Sequence, residues 1–185
     1  FCGIIGIMQV HNPFLKIDRV IPIMIAGNFT VTVAVSLLAP IFALFVTDEI
    51  HGGSVQVVGF ALALYWGVKS ILQLPLARYI DRNHGEYDDF YFMIAGMGFG
   101  ALVLAGYYFA SLPWHIYALH CLLGLADAFA VPPLFAIFTR HIDKGNEGFE
   151  WSLQSSFSYG GGAAIGGALG GMLLAVMGYR FVFVL

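Results

Sequence analysis

Long apolar runs separated by short polar segments make up almost the whole chain. Three of these runs, 20–47, 90–126 and 151–179, contain no Asp, Glu, Lys or Arg. Each run is long enough to cross a bilayer, because a transmembrane helix needs about 20 apolar residues. Breaking the runs at their glycines, prolines and charged residues predicts five complete transmembrane helices, over 20–47, 54–80, 89–111, 114–140 and 149–177.

The pattern predicts an all-α membrane protein, a polytopic bundle of transmembrane helices. A sixth helix is expected to begin at Tyr179, and we interpret the chain as a fragment that stops inside this helix. Composition supports a membrane protein, since only 10% of the residues are charged and the mean hydropathy is +0.84, whereas soluble domains carry about 25% charged residues. The net charge of -3 and the lack of a basic stripe exclude nucleic acid as a partner. The lipid bilayer is the expected partner.

The basic residues lie in alternate connections between the predicted helices. Six of the eight lie before the first helix, or at or just after the ends of the second and the fourth: Lys16, Arg19, Arg78, Arg82, Arg140 and Lys144. Loops rich in Lys and Arg stay in the cytoplasm. We therefore predict a cytoplasmic amino-terminal segment at 1–19, a helical bundle at 20–185, and a prokaryotic cytoplasmic membrane protein with its amino terminus inside.

Glycines are concentrated in the fifth predicted helix, where residues 162–171 read GAAIGGALGG. This segment resembles the G-x-x-x-G-P-x-x-G-G motif in the fifth helix of major facilitator antiporters, with Gly167 in place of the proline. Glycines allow two helix backbones to approach closely, which strengthens packing within lipid. We expect this role for four of them: Gly162, Gly166, Gly170 and Gly171. Ordinary packing of small residues is the alternative.

A second resemblance follows the second predicted helix, where residues 77–82 read ARYIDR. They are similar to the G-x-x-x-D-R/K-x-G-R/K-R/K loop motif of the same family, although Ala77 replaces its first glycine and acidic residues replace its basic tail. The resemblance implies that Asp81 and Arg82 form a gating loop, which holds one conformation by charge pairing at helix ends. It also implies that the chain is the amino-terminal half of a major facilitator transporter, whose second six-helix half is missing.

Two charged residues, Lys69 and Asp127, lie inside predicted helices. At 1.5 Å per residue they lie roughly 16 Å and 19 Å from the cytoplasmic ends of their helices, so they share a depth and are able to meet. A lone charge at the bilayer centre costs about 2.5–3.5 kcal/mol, which favours a pair or a water-filled cavity. Two interpretations stay open: the pair lines a substrate or proton pathway, or it is a static salt bridge that fixes helix packing.

Three uncharged or titratable side chains are further candidates for the pathway. His120 lies seven residues before Asp127 and is expected on the same helix face. Asn28 begins a stripe with Thr32 and Ser36 in the first helix, and Gln73 follows Lys69 by one turn. Hydrogen bonding within the bundle is the alternative for each of them.

The leading functional prediction is secondary active transport of a small solute by alternating access, with proton coupling left open. The antiporter-like glycines favour export of a small compound, while the polar stripes also suit a sugar or an organic acid. A receptor or assembly factor that reuses the bundle without transport is the competing prediction. We expect no enzyme, no metal site and no cofactor, because the loops lack a Ser/His/Asp set, a His-rich cluster and a phosphate-binding glycine loop.

Overall fold

The computed structural model describes residues 17–83 and 85–179, and nearly all of this part is helical. Long helices form here because a helix pairs most of its backbone groups internally while apolar side chains cover its surface, as a membrane span requires. The first four helices are α1 (Val20–Glu49), α2 (Val55–Asn83), α3 (Glu86–Gly106) and α4 (Pro113–His141). A short 3₁₀ turn at Tyr107–Phe109 follows α3.

The fifth span has three consecutive parts. They are an α-helix, α5 (Glu147–Gln154), a π-helical segment (Ser155–Gly161) and a second α-helix, α6 (Gly162–Met177). The π-helical segment is fixed to α1, because the Ser158 hydroxyl donates a hydrogen bond of 3.0 Å to the Ile25 carbonyl oxygen. Ser158 is fully buried at this contact.

Five helical stretches are long and apolar enough to cross a bilayer: Val20–Glu49, Val55–Arg82, Glu86–Phe109, Pro113–His141 and Glu147–Val176. The predicted all-α bundle with five complete spans is confirmed. The helices run a few residues past several predicted ends because polar residues remain helical where the span leaves the hydrocarbon. The predicted sixth helix and most of the amino-terminal segment 1–19 lie outside the described residues.

The helix α4 lies between α2 and α3, and α1 packs along the fifth span. Glycines bring these helices close together. A Cβ atom added at Gly124 of α4 would lie 2.6 Å from the Tyr65 carbonyl oxygen of α2, and one at Gly96 of α3 would lie 2.7 Å from the backbone nitrogen of Ala130 in α4. The two contacts place α2 and α3 directly against α4.

Apolar side chains fill the bundle at both ends. One buried cluster lies near the α1–α2 connection and includes Ile41, Phe45, Ala61, Tyr107 and Ile116. A second lies where α1 begins and consists of Ile21, Ile25 and Phe138, with Trp151 packed against it.

Charge pairs join the start of α3 to the end of α4. The Arg140 guanidinium donates to the buried Asp89 carboxylate, and the His141 Nε2 lies 3.3 Å from the Glu86 Oε1. These pairs hold the two ends together where α2 and α3 are connected by a short turn.

Candidate functional site

Lys69 and Asp127 occupy the middle of the bundle. Each is the central residue of a 29-residue helix, with fourteen helical residues on either side. The Lys69 Nζ donates a hydrogen bond of 2.9 Å to the Asp127 Oδ2. The structure thus brings together the two charges that the sequence placed at one depth.

Tyr65, which lies one turn before Lys69 in α2, contacts both members of this charged pair. Its hydroxyl donates to the same Asp127 Oδ2, and the Lys69 Nζ lies 3.2 Å from the Tyr65 Oη. The side chains reach one another because Gly124, one turn before Asp127, lets α4 approach the α2 backbone at Tyr65. Two donors therefore converge on one carboxylate oxygen.

The other oxygen of the carboxylate, Oδ1, is not used by Lys69 or Tyr65. The Asp127 side chain is 40% exposed while that of Lys69 is 13% exposed. The Asp127 Oδ1 makes no hydrogen bond with any described residue. The carboxylate can accept a proton or a donor group on this oxygen without first breaking its bonds to Lys69 and Tyr65.

Two aromatic rings lie near the ammonium group of Lys69. The Lys69 Nζ lies 5.4 Å from the ring centroid of Tyr65 and 5.2 Å from that of Trp66, which are cation–π distances. Trp66 is 58% exposed. We call Tyr65, Trp66, Lys69 and Asp127 the midpoint site.

Tyr65 and Trp66 were not predicted from the sequence. A tyrosine or tryptophan inside an apolar run is equally compatible with lipid contact, core packing or a polar site. The one available signal was that Tyr65 precedes Lys69 by four residues, a spacing that puts both side chains on one helix face.

His120 lies apart from the midpoint site. It is buried, its Nδ1 lies 2.6 Å from the Tyr107 Oη and 3.2 Å from the Ile116 carbonyl oxygen, and its ring packs on Phe42 at 4.6 Å. These partners belong to α1, to α4 and to the turn after α3. Its surroundings are those of a histidine that is hydrogen-bonded within the bundle.

Asn28 and Gln73 line two separate cavities. Asn28 is buried beside a cavity of about 610 Å³ between α1, α3 and α4, and its Nδ2 has no hydrogen-bond partner among the described residues. Gln73 lines a cavity of about 480 Å³ between α2 and α4. Neither cavity is lined by Lys69 or Asp127.

Asp81 and Arg82 are exposed in the last turns of α2. They line different cavities: Asp81 faces the one that also contains Gln73 and Arg140, and Arg82 faces a groove with Arg78. The ion pairs at this end of the bundle join α3 to α4 through Asp89 and Arg140, not through Asp81.

Three of the four predicted packing glycines face α1. A Cβ atom added at Gly162 would lie 3.0 Å from the Thr32 Cβ, one at Gly166 would lie 2.8 Å from the Ser36 Cβ, and one at Gly170 would collide with the Leu37 backbone. Gly171 is exposed and an added Cβ atom there would meet nothing within 4 Å. The close contact thus uses one glycine per turn.

Sequence comparison agrees with this arrangement of helices. The chain matches the Major Facilitator Superfamily over residues 24–185. The chain belongs to this superfamily. The resemblance inferred from the glycine segment and the loop after the second helix is confirmed, and the chain is an integral membrane protein of a transporter family.

Similar members of the superfamily include multidrug resistance protein MdtG of three bacteria. The protein of Escherichia fergusonii is 27% identical over 180 residues, which is 96% of this chain and 41% of that protein. The proteins of Dickeya zeae and Enterobacter lignolyticus are also 27% identical, over 95% and 91% of this chain. The chain spans about two fifths of the length of these curated relatives. No solved structure matches the chain significantly.

Proposed function

We propose that this chain is the first half of a secondary transporter that moves a small compound across the membrane by alternating access. The single observation that carries the proposal is the midpoint site, where a half-exposed carboxylate meets a lysine at the centre of two spans. Charged side chains at this depth are costly and mark pathways for ions or substrates. In major facilitator transporters two halves rock about such a site.

Proton coupling at Asp127 is part of the proposal. A proton on the open Oδ1 would neutralise the carboxylate and remove the counter-charge of Lys69, so the two protonation states favour different surroundings. If the bundle exposes Oδ1 to one side of the membrane at a time, a proton gradient is able to drive the cycle. The static salt bridge remains the competing role for the pair.

The substrate class and the orientation are also proposals. The name of the relatives, multidrug resistance protein, supports export of a small drug-like compound. We propose a bacterial cytoplasmic membrane with the amino terminus inside, in accord with the distribution of basic residues. Gln73 and Asp81 share a cavity at the cytoplasmic end, which supports a role for both in the inner entrance.

The test replaces Asp127 with Asn in the complete transporter. A panel of labelled drug-like dyes, sugars and organic acids first identifies a compound that the unmodified protein transports. We expect Asp127→Asn to lower the transport rate by at least about tenfold, equivalent to about 1.4 kcal/mol on the barrier, and to remove its dependence on pH. Asp88→Asn is the matched control, because Asp88 is an exposed carboxylate at the start of α3.

Two outcomes contradict the proposal. Unchanged transport and pH dependence in correctly inserted Asp127→Asn protein would leave only the packing role. If the unmodified transporter moved no compound of the panel in either direction, the nontransporting alternative, a receptor or an assembly factor, would take its place.

A further inference from the structure

A groove with two arginines runs along the last turns of α2. It has a volume of about 410 Å³ and is lined by five residues: Leu74, Pro75, Arg78, Tyr79 and Arg82. None of these is acidic. Asp81, the nearest carboxylate in the sequence, lines a different cavity, between α2 and α4. We call this surface the Arg78 groove.

The depth of the groove matches the boundary between acyl chains and lipid headgroups. Lys69 marks the middle of α2. Arg78 lies nine residues beyond it, about 14 Å along the helix, and Arg82 about 20 Å. Half of the hydrocarbon core is about 15 Å thick, so Arg78 lies at the boundary, Arg82 among the headgroups, and Leu74 beside acyl chains.

Tyr79, which lines the groove beside the two arginines, is a residue type that is typical of this depth. Tyr79 is half exposed and packs edge-to-face on Phe92 of α3, with 6.0 Å between the ring centroids. Tyrosine rings are favoured where hydrocarbon meets headgroups, because one end of the ring is apolar and the other is polar. The contact with Phe92 holds Tyr79 beside Arg78.

Arg78 carries a charge that the described part of the protein does not balance. Its guanidinium has five N–H donors and makes no hydrogen bond or ion pair with another described residue. A guanidinium at the edge of the hydrocarbon extends toward the headgroups, where phosphate oxygens are its acceptors. Its planar fork fits the oxygens of a phosphate.

We propose that the Arg78 groove binds an anionic phospholipid. The headgroup phosphate accepts hydrogen bonds from Arg78 at the membrane boundary, Arg82 adds positive charge nearer the water, and an acyl chain covers Leu74 and Pro75. An anionic lipid is favoured over a zwitterionic one because the lining contains Arg78, which has no ion pair with a described residue, and contains no carboxylate. A lipid is favoured over free phosphate because the lower part of the groove is apolar. The proposal requires only that α2 spans the membrane, and is independent of the transport proposal.

The experiment measures lipid retained by the complete transporter in native mass spectrometry. The protein is purified in micelles that contain equal amounts of phosphatidylglycerol and phosphatidylcholine. We expect Arg78→Gln to lower the preference for phosphatidylglycerol by about fivefold, the effect of one cationic side chain near an anionic surface. Arg19→Gln is the matched control, since Arg19 is an exposed arginine at the same end of the bundle, and it should retain the preference.

A second variant and a competition separate lipid binding from other effects. Arg78→Lys keeps the charge but not the fork, so the preference should fall less than in Arg78→Gln. An equal loss in Arg19→Gln, or no loss in Arg78→Gln with normal helix content by circular dichroism, would overturn the proposal. Displacement of the lipid by inorganic phosphate at the same concentration would overturn the role of the acyl chain and assign the groove to free phosphate.

Discussion

Asp127 receives two hydrogen bonds on one oxygen and leaves the other open. Lys69 and Tyr65 both donate to Oδ2. Placing a lysine and a carboxylate in the membrane interior is costly for each alone, and their contact offsets part of that cost. The contributions of the two residues to the free energy of unfolding are therefore coupled. Removing one charge should destabilise the protein more than removing both charges.

A double-mutant cycle tests this coupling. Lys69→Met keeps the length of the side chain and removes its charge, which leaves Asp127 without a counter-charge. We expect the free energy of unfolding to fall by about 1–3 kcal/mol, less than for a fully buried pair because the Asp127 side chain is 40% exposed. Adding Asp127→Asn to Lys69→Met should recover part of the loss. The measurement is denaturant unfolding in micelles, and strictly additive losses would show that the two side chains do not interact.

Sequence reasoning found the charged pair but missed its partners. Helical rise sets the depth of Lys69 and Asp127, and the cost of a lone charge in lipid predicts that they meet. Tyr65 carries no such cost, because a phenol ring is tolerated at many places in a bundle, so hydropathy does not single it out. The depth of a residue in the membrane follows from its position along its own helix. Contacts between helices also depend on how each helix is rotated about its axis.

Asn28 shows how rotation limits prediction. Residues four apart on a helix turn by about 40° at each step, so the predicted stripe winds around α1. Thr32 and Ser36 lie against the glycines of the fifth span, while Asn28 lines the cavity between α1, α3 and α4. Residues at a regular spacing in the sequence therefore do not share a single face of α1.

The pairing of α1 with the fifth span depends on a row of glycines. Gly162, Gly166 and Gly170 follow one another at each turn and face the backbone of α1. Their neighbours Gly167 and Gly171 face open space. The same helix therefore contains glycines that contact α1 and glycines that do not.

This difference gives a matched pair of substitutions. In Gly166→Ala the added methyl group would lie 2.8 Å from the Ser36 Cβ and closer still to the Val33 carbonyl oxygen, a backbone atom. We expect the free energy of unfolding to fall by about 1–3 kcal/mol, the usual cost of overpacking. Gly167→Ala should be neutral or stabilising by up to about 1 kcal/mol, because alanine favours helix. Thermal unfolding in micelles measures both, and equal effects would contradict the close contact.

Hydropathy predicted the spans well and the detailed helix geometry poorly. The end of an apolar run marks where lipid stops, not where the helix stops, so α1 and α2 extend to Glu49 and Asn83. The π-helical segment Ser155–Gly161 was not predicted, since a change of hydrogen-bond pattern leaves apolar content unaltered.

The two ends of the described bundle differ in how α1 packs on its neighbours. Near the α1–α2 connection, Phe45 and Ile41 of α1 pack with Ile116 of α4 and Tyr107 after α3. At the other end, a cavity of about 610 Å³ lies between α1, α3 and α4, and Ile21 and Ile25 of α1 pack with Phe138 of α4. Near the α1–α2 connection, a hydrogen bond of 2.7 Å from the Tyr179 hydroxyl to the Asp48 Oδ2 also joins the end of the fifth span to α1 and raises the pKa of Tyr179 above its usual value.

Labelling of introduced cysteines tests the proposed orientation. In a cysteine-free background, with Cys2 and Cys121 replaced by Ser, one cysteine is introduced at His51, Asp88 or Lys144, three exposed positions between spans or in the first turn of a span. We expect an impermeant maleimide to label position 51 in intact cells, and positions 88 and 144 only after the membrane is opened. Positions 88 and 144 on opposite faces of the membrane would contradict the order of spans. If intact cells were labelled at both of these positions and not at position 51, the orientation would be the reverse of the one proposed.

The π-helical segment determines which side of α6 meets α1. A turn of π-helix takes in about one residue more than a turn of α-helix, because its hydrogen bonds join residues five apart instead of four. If Ser155–Gly161 were regular α-helix, α6 would be rotated by about 100°. Ile165 and Leu169, now exposed, would then stand where Gly166 and Gly170 contact α1. The fifth span thus tolerates the loss of one residue in this segment better than the gain of one, because a loss restores ordinary winding and keeps small residues at the seam.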